Sequence, residues 1–244
     1  MTADESIVKP GRSKIASDLG PVAVMVSSKD DLFLLCSRLQ LDKNKFKNIF
    51  TSRLYITGAD QPGLAVVGPV IGAPYAVILL ENLIAWGASK IIFFGWCGTI
   101  SPTVKIGDII VPNGAIIDEG TSRHYLIDDD KPVRPSHRLL EKTRQTLEKA
   151  GLDFHEGLVW STDAIYRETR PKVEGFQKQK ALAVEMELSA LFTVARYRGI
   201  EAAAILVVSD DVSTFTWRPG FKASGFIESR KAVAEVIGAL CSSL

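Results

Sequence analysis

Two glutamates lie where an apolar segment enters a helical pattern. Glu185 and Glu187 flank Met186 in the sequence AVEME. A carboxylate near a helix N-terminus is favoured by the helix dipole, so a structural capping role is one explanation. Side chains two residues apart do not share a helix face. One carboxylate can therefore cap the helix while the other faces a cleft, where it could accept hydrogen bonds from the neighbouring hydroxyls of a sugar.

A second acidic group follows another apolar run. Ile205–Val208 is continuously apolar and ends in Ser209, Asp210 and Asp211. Carboxyl groups after a buried strand would lie at the edge of the sheet where α/β proteins bind their ligands. A carboxyl group at that edge can serve as a general acid. An ordinary aspartate in the turn after a strand explains the same residues equally well.

A glycine pair follows a third apolar segment. The sequence FFGWCGT places Gly95 and Gly98 on either side of Trp96 and Cys97. Glycine lets a ligand approach the backbone closely. The spacing is not that of a dinucleotide-binding GxGxxG motif, and no helical pattern follows it. A simple strand-to-loop turn explains the pair about as well, so it indicates a site only together with other features.

Strand-like and helical segments alternate from about residue 21 to the end of the sequence. Most of the strand-like segments are continuously apolar, which is typical of strands covered on both faces, and the alternation predicts an α/β fold with a largely parallel sheet. The predicted strands are Val22–Val26, Ala65–Val70, Lys90–Phe94, Asp108–Val111, Leu158–Ser161 and Ala202–Ser209. The predicted helices are Asp30–Gln40, Pro74–Trp86, Ser136–Ala150, Glu185–Arg198 and Ser224–Leu240, and the third of them has Ser136 as its expected N-cap.

Bulk composition narrows the classes of function. Residues 1–20 are polar and are predicted to form a flexible N-terminal extension, followed by a single domain over residues 21–244. The chain has 29 basic and 28 acidic residues, which argues against a nucleic-acid surface. Its apolar runs are too short to span a membrane. The cysteines, Cys36, Cys97 and Cys241, suggest neither a metal site nor a disulfide framework, and they favour a cytoplasmic location.

Taken together and in this order, these segments resemble the nucleoside phosphorylase and uridine phosphorylase superfamily. The matching stretches are GWCGTISPTVKIGDIIVP, WSTDAIY, AVEMELSALF and AAAILVVSDD, and the sequences EGTSRHY and WRPGF are closest to bacterial uridine phosphorylase-like proteins. The resemblance implies an α/β fold of three layers, with a mixed, largely parallel central sheet flanked by helices. It also implies a small-molecule nucleoside as ligand and a homo-oligomer, either a dimer or a hexamer.

The resemblance assigns roles to the acidic residues. Glu187 would bind the ribose hydroxyls, with Met186 packed against the sugar. Asp210, preceded by Ser209, corresponds to the acid that protonates or hydrogen-bonds N7 of a purine leaving group. Because negative charge builds on the base in the transition state, a proton supplied there would be differential stabilisation. Glu187 and Asp210 are therefore the predicted catalytic residues.

The base-binding side matches the family less closely. Ile165 and Tyr166 fall where relatives stack aromatic residues on the base, although Ile165 departs from the pattern. Arg167 and Arg170 lie near the place of the Gln–Arg pair that uridine phosphorylases use, but an exposed or ion-paired surface explains them at least as well. Asp210 favours a purine base, and a pyrimidine stays open.

The nucleophile side departs sharply from the resemblance. Phosphorolytic relatives have an arginine two residues before the glycine of the turn and a serine or threonine after it, where this chain has Phe93 and Trp96. A buried phosphate dianion without guanidinium partners would cost several kcal/mol. The predicted nucleophile pocket contains Ser28, Lys29, Gly95 and Trp96, and it should accept water more easily than phosphate.

Three functions stay open from the sequence. The leading one is a phosphorylase that cleaves the N-glycosidic bond of a purine ribonucleoside at an altered phosphate site. The alternatives are a nucleosidase that uses water and a non-catalytic nucleoside-binding relative. No cofactor or metal is expected, with phosphate as the candidate co-substrate. Lys29, Arg53 and Arg218 are the cations that could compensate for the missing arginine.

Overall fold

Ten strands and six helices alternate along residues 6–11, 19–57, 63–125 and 132–244, which are the residues that the computed structural model describes. The strands are β1 (Val22–Val26), β2 (Lys47–Ile49), β3 (Ser52–Ile56), β4 (Ala65–Gly68), β5 (Lys90–Thr99), β6 (Ile109–Asp118), β7 (His155–Thr162), β8 (Ala181–Glu185), β9 (Glu201–Asp211) and β10 (Arg218–Pro219). The helices are α1 (Lys29–Arg38), α2 (Ala73–Ala85), α3 (His137–Lys149), α4 (Arg170–Lys178), α5 (Leu188–Arg198) and α6 (Ser224–Ser242).

The strands form one sheet, part of which closes on itself. The order is β10-β9-β6-β7-β8-β5-β1-β4-β3-β2, and β9 pairs with β5 as well as with β6. The strands β5, β9, β6, β7 and β8 therefore form a ring, from which β1, β4, β3 and β2 extend. Pairs β1–β4, β1–β5, β5–β9, β6–β7 and β7–β8 are parallel, whereas β5–β8 and β6–β9 are antiparallel. The predicted mixed, largely parallel α/β fold is confirmed.

Strand β1 shows why the apolar runs are continuous. Val22, Val24 and Val26 belong to a core cluster that includes residues of α1, α3 and α6. Ala23 and Met25 point the other way, into a cluster that includes residues of α2 and α5. Because successive side chains of a strand alternate between faces, a strand covered by helices on both sides must be apolar at every position.

Helix α5 differs from the prediction in two respects. It begins at Leu188 rather than at Glu185, and its residues 188–195 are all buried. Apolar residues at helical spacing from Leu188 to Ala195 predict a single apolar stripe, but a helix enclosed by α2 and the closed part of the sheet is buried on every side. Gly199 ends it with a φ of 68°, as its position at the helix end predicted.

Other boundaries moved by a few residues. Ser136 does precede α3, but its hydroxyl accepts the backbone N–H of Ala202 (2.8 Å) and makes no capping bond to the helix. The prediction did not include β2, β3, α4 or β10. Most of the predicted extension over residues 1–20 lies outside the described residues. In the described part, the Trp86 indole donates to the Gly11 carbonyl at 2.9 Å.

Two kinds of feature are absent from the described residues. No helix among them is long and apolar enough to cross a membrane. No group of three or more His, Cys, Asp or Glu side chains within those ranges is arranged to hold a metal ion.

Candidate active site

A cavity of about 470 Å³ opens where several strands end. Its walls come from the carboxyl ends of β1, β4, β8 and β9, from the second half of β5, and from the loop after β7. β8 reaches it although it runs antiparallel to β5, because Val184 pairs with Gly98 near the end of β5. Members of the three segments that the sequence singled out therefore meet in one place, namely Glu185, Glu187, Asp210 and Gly98. The glycine pair lies within β5 and does not form a turn after it.

The two glutamates of AVEME divide their roles. The Glu185 carboxylate accepts the backbone N–H groups of Glu187 (2.7 Å) and Leu188 (2.8 Å) and also the Ser161 hydroxyl, so it caps the first turn of α5. Glu187 instead reaches across the cavity and accepts the N–H of Gly72 at 2.5 Å. Gly72 has a φ of 81°, which glycine adopts without strain. Glu187 is thus the glutamate that is free to meet a ligand with its second oxygen.

Burial sets the charge of this pair. It raises the pKa of Glu185 to about 7 against the opposing effect of its hydrogen bonds. Burial, together with the negative charge of Glu185, raises the pKa of Glu187 to about 8. The protonated form of Glu187 is therefore favoured when no ligand is bound. Two ligand hydroxyls that donate to it would stabilise the ionised form.

A β-bulge directs Asp210 into the cavity. Along the β5–β9 pairing, Cys97 is opposite Val208 whereas Gly98 is opposite Asp210, so Ser209 is the extra residue. The Ser209 hydroxyl lies 2.6 Å from Asp210 Oδ1. The indole N–H of Trp217 donates to Asp210 Oδ2 at 2.9 Å. Each carboxyl oxygen therefore has a hydrogen-bond partner, and the orientation of Asp210 is fixed. A group that contacts one particular atom of a ligand requires such a fixed orientation.

Gly98 is needed because Asp210 lies directly against it. A Cβ at this position would stand 3.0 Å from Asp210 Oδ2 and 3.4 Å from Val184. The glycine of the FFGWCGT motif thus makes room for an acidic side chain of the protein itself. From the sequence alone, the glycine was interpreted as making space for a ligand.

The opposite end of the cavity lies at the N-terminus of α1. Ser28 is the N-cap, and its side chain accepts the N–H of Asp31 at 3.1 Å. Ser28, Lys29 and Trp96 line the cavity as predicted, whereas Gly95 does not. Gly95 lies one residue too early on β5, where a Cβ would meet the Phe93 ring and Leu206.

A buried ion pair holds Trp96 in place. The fully buried Asp31 carboxylate accepts the Trp96 indole N–H (2.5 Å) and the Arg230 Nε–H (2.7 Å). The Arg230 guanidinium lies 4.9 Å from the centre of the Trp96 ring. Burial raises the pKa of Asp31, and the Arg230 charge opposes that effect. Because its indole N–H is already bonded, Trp96 offers the cavity no donor.

The proposed compensating cations are placed differently from one another. Lys29 lines the cavity. Arg218 instead forms an ion pair with Asp211 at 2.5 Å. Arg53 lies over the Phe46 ring, 4.3 Å from its centre. Lys29 is therefore the one of the three that borders the cavity, and its ammonium nitrogen lies 5.7 Å from the centre of an aromatic ring of α1.

The base-binding residues are only partly brought together. Ile165, Ser209 and Asp210 line the cavity, as do Met186 and Glu187 on the sugar side. Tyr166 is 96% exposed and does not line it.

The two arginines on this side are also outside the cavity. Arg167 is exposed, and Arg170 bonds to Glu174 at 2.8 Å and lies over the Phe215 ring. A 3₁₀ turn at Ile165–Arg167 accounts for the exposure of Arg167, because successive side chains of such a turn point about 120° apart and only one can face the cavity. Arg170 belongs instead to the first turn of α4.

The cavity also contains residues that the sequence did not single out. Glu168, Cys97, Phe221 and the residues 69–71 all line it. Cys97 is buried beside two acids, and burial raises its pKa well above the usual value. Burial and the charge of Asp210 raise the pKa of Glu168 to about 7. A carboxyl group directly after the predicted base-stacking stretch was the only signal that could have identified Glu168.

The sequence is similar to a known protein family and to proteins of known name. The model of the Phosphorylase superfamily matches residues 21–242. Guanosine phosphorylase of Halorubrum lacusprofundi is 31% identical over 153 residues, which cover 63% of each chain. The DeoD-type purine nucleoside phosphorylase of Clostridium novyi is 33% identical over 152 residues, which cover 62% of this chain and 65% of the relative. Each match thus spans less than two thirds of the relative's length.

The fold was compared with solved structures. Purine nucleoside phosphorylase of Toxoplasma gondii, solved in complex with immucillin-H, superposes with a TM-score of 0.79. The superposition covers 93% of this chain and 92% of the other, at 19% sequence identity. This likeness concerns the fold.

Proposed function

Because the chain belongs to the phosphorylase superfamily, we propose that it cleaves the N-glycosidic bond of a purine ribonucleoside by phosphorolysis. One observation carries the proposal: Glu187 and Asp210 line the same cavity, so that one could hold a sugar diol while the other meets the base. A protein that only binds nucleosides would not need a proton donor at the base. The names of the sequence relatives support a purine nucleoside as substrate and phosphate as the nucleophile.

The sugar end holds the ribose. Glu187 accepts the 2′- and 3′-hydroxyls, and its hydrogen bond from Gly72 fixes the carboxylate before the ligand arrives. Met186 lines the wall beside it. Such preorganisation matters because binding energy lost to reorientation would not be available in the transition state.

The base end supplies the proton. As the C1′–N9 bond breaks, its electron pair moves into the purine ring, and negative charge builds towards N7. Asp210 protonates or hydrogen-bonds that atom, and the contacts from Ser209 and Trp217 fix its position. Stabilisation aimed at charge that develops only in the transition state accelerates the chemical step.

The nucleophile end receives phosphate, which forms the new bond to C1′ and yields ribose-1-phosphate. The N-terminus of α1 and Lys29 would face the anion. Family-type arginines are replaced here by Phe93 and Trp96, and the sequence therefore favoured water as the easier nucleophile. The purine nucleoside phosphorylases among the relatives support phosphate over that hydrolytic alternative.

The decisive experiment incubates the protein with a panel of purine and pyrimidine nucleosides, with and without phosphate, and identifies the sugar product. We expect free purine with ribose-1-phosphate, at a rate that saturates with phosphate. Free purine with ribose, at a rate that does not depend on phosphate, would replace the proposal by a nucleosidase. Binding without any product would identify a non-catalytic relative.

We also propose that the protein acts in the cytoplasm as a homo-oligomer, a dimer or a hexamer. Exposed apolar side chains support association: Phe50 is 63% exposed and Ile78 is 45% exposed, and the two line one surface groove. Sedimentation of the wild type and of a Phe50→Asp variant tests the oligomer. A wild type that sediments as a monomer would contradict it.

A further inference from the structure

Glu168 is a carboxyl group in the cavity with no assigned task. It follows the 3₁₀ turn at Ile165–Arg167, is half-buried, and lines the cavity on the same side as Ile165 and Asp210. Asp210 is held by Ser209 and Trp217. Among the described residues, in contrast, the carboxyl group of Glu168 has no hydrogen-bond or ion-pair partner.

A half-buried carboxyl group without a partner costs stability, and a ligand can relieve that cost by bonding to it. The place of Glu168 indicates which part of a purine it would meet. With the sugar at Glu187 and N7 at Asp210, the six-membered ring extends towards the loop after β7. The charge of Asp210 acts on Glu168, so the two carboxyl groups are close together. The ring substituent next to N7 on that side is the one at carbon 6.

We propose that Glu168 determines which purine the enzyme accepts by bonding to the substituent at position 6. This inference rests on the proposed function and adds to it a residue that sets specificity. An ionised carboxylate only accepts hydrogen bonds, so it matches the 6-amino group of adenosine. A protonated carboxyl has an O–H that donates, so it matches the 6-oxo group of inosine.

The environment of Glu168 allows both forms near neutral pH. Burial, reinforced by the charge of Asp210, raises its pKa to about 7. Below that pH the carboxyl is mainly protonated and 6-oxopurines are favoured; above it the carboxylate dominates and 6-aminopurines are favoured. The other ionisable groups that line the cavity are Lys29, Cys97, Glu185, Glu187 and Asp210. Adenosine and inosine share the same sugar and the same N7, so these groups affect both substrates alike and cancel in a ratio of rates.

The test is the ratio of kcat/KM for adenosine to kcat/KM for inosine between pH 5.5 and pH 8.5, at saturating phosphate. In the wild type we expect this ratio to rise roughly tenfold through neutral pH, the effect of one hydrogen bond to a charged group. In Glu168→Gln it should not change with pH, because an amide both donates and accepts at every pH. Glu148→Gln, an exposed substitution on α3, should keep the wild-type profile.

Purine riboside, which has no substituent at carbon 6, shows whether Glu168→Gln is folded and active. A wild-type ratio that stays flat with pH would overturn the role of Glu168 without touching the proposed function, and this result needs no variant. A Glu168→Gln ratio that still rises with pH would also overturn it. If the wild type cleaves neither nucleoside at any pH, the proposed function itself fails.

Discussion

Two glutamates of the same sequence motif differ in function because different N–H groups surround them. Glu185 accepts N–H groups of the first turn of α5, and Glu187 accepts the N–H of Gly72. The spacing rule predicted that one of them can face a cleft while the other serves structure, and the family resemblance assigned the cleft to Glu187; both in fact line the cavity. The partner Gly72 could not be predicted, since 115 residues separate it from Glu187.

Replacing Glu187 by Gln should weaken the hydrogen bonds to the sugar hydroxyls. The loss of a hydrogen bond to a charged group is worth about 1.5–3 kcal/mol, so kcat/KM for a ribonucleoside should fall at least about tenfold. The loss should be smaller for the 2′-deoxynucleoside, which lacks one of the two hydroxyls. Steady-state kinetics with the ribonucleoside and with the 2′-deoxynucleoside measures the two losses in kcat/KM. Equal losses would contradict the role assigned to Glu187.

Replacing Asp210 by Asn should remove proton transfer and keep the hydrogen bond to the base. General acid catalysis contributes about 10²–10⁴-fold, so turnover of a natural purine nucleoside should fall by that order with little change in affinity. A nitrophenyl riboside, whose leaving group needs no proton, provides the control and should still be cleaved. Normal turnover of the natural nucleoside would show that Asp210 is only a turn residue.

The base-binding residues show where prediction from sequence stops. Ile165, Ser209 and Asp210 line the cavity, but Tyr166, Arg167 and Arg170 do not. The resemblance pointed to a stretch of chain of which Ile165 borders the cavity. Which side chain of Ile165–Arg167 faces the cavity depends on the 3₁₀ turn, which apolar patterning does not reveal.

At the scale of elements, the bulge between β5 and β9 places the acid. Gly98 permits the close approach, and we expect Gly98→Ala to displace Asp210 by a few tenths of an ångström. Since misplacement by about 1 Å can cost 10²-fold in rate, a loss of roughly tenfold in kcat is expected. The fold should stay intact by circular dichroism.

Gly175→Ala is the matched control for that variant. Gly175 lies in α4, and a Cβ there would meet nothing within 4 Å. Alanine in a helix should stabilise it by about 0.5–1 kcal/mol and leave the rate unchanged. Unchanged kcat in both variants would mean that the contact between Gly98 and Asp210 does not matter for catalysis.

Most helices were predicted well, whereas the long strands were predicted too short and the shortest strands were missed. The strand Val22–Val26 matched the structure, and α1, α2, α3 and α6 differed from their predictions by at most two residues at each end. The predictions for β5 and β6 stopped at Phe94 and Val111, five and seven residues before the strands end, because a glycine and a proline follow the apolar runs. Strands β2 and β10 have three and two residues, too few for a periodicity, and they exist only because a neighbouring strand pairs with them.

At the scale of the whole molecule, buried acids make stability depend on pH. The pKa values of Glu185 and Glu187 are raised from 4.5 to about 7 and about 8, so the folded protein keeps protons that the unfolded chain has lost. Stability from these groups is therefore full below pH 4.5 and is lost as the pH rises towards 8. Relative to the wild type, Glu187→Gln should become more stable between pH 5 and pH 8.

Urea denaturation at pH 5, 6.5 and 8 measures this difference. Comparing each variant with the wild type at the same pH removes the contribution of acids that do not interact with Glu187, whereas Glu185, whose charge acts on Glu187, adds to the difference. The exposed Glu148→Gln should show no such trend. A Glu187→Gln variant whose relative stability does not rise with pH would mean that Glu187 is already ionised in the empty cavity.

The closed ring of strands in the sheet could not be predicted from the sequence. Alternating strands and helices predict a parallel sheet, but they do not specify that β9 pairs with both β5 and β6. Those pairings join residues more than 90 positions apart, and local apolar patterns contain no information on such distances.

The same ring has a consequence for how the protein is made. Strands β5 and β6 leave the ribosome about a hundred residues before β9, the strand that closes the ring between them. Until then the apolar edge of β5, with Ile92 and Phe94, has no partner on that side. Long-range pairings of this kind form slowly and leave edges open to aggregation. We therefore expect the nascent chain to be most prone to aggregation during the synthesis of residues 119–200, and Asp210 is added only after that interval.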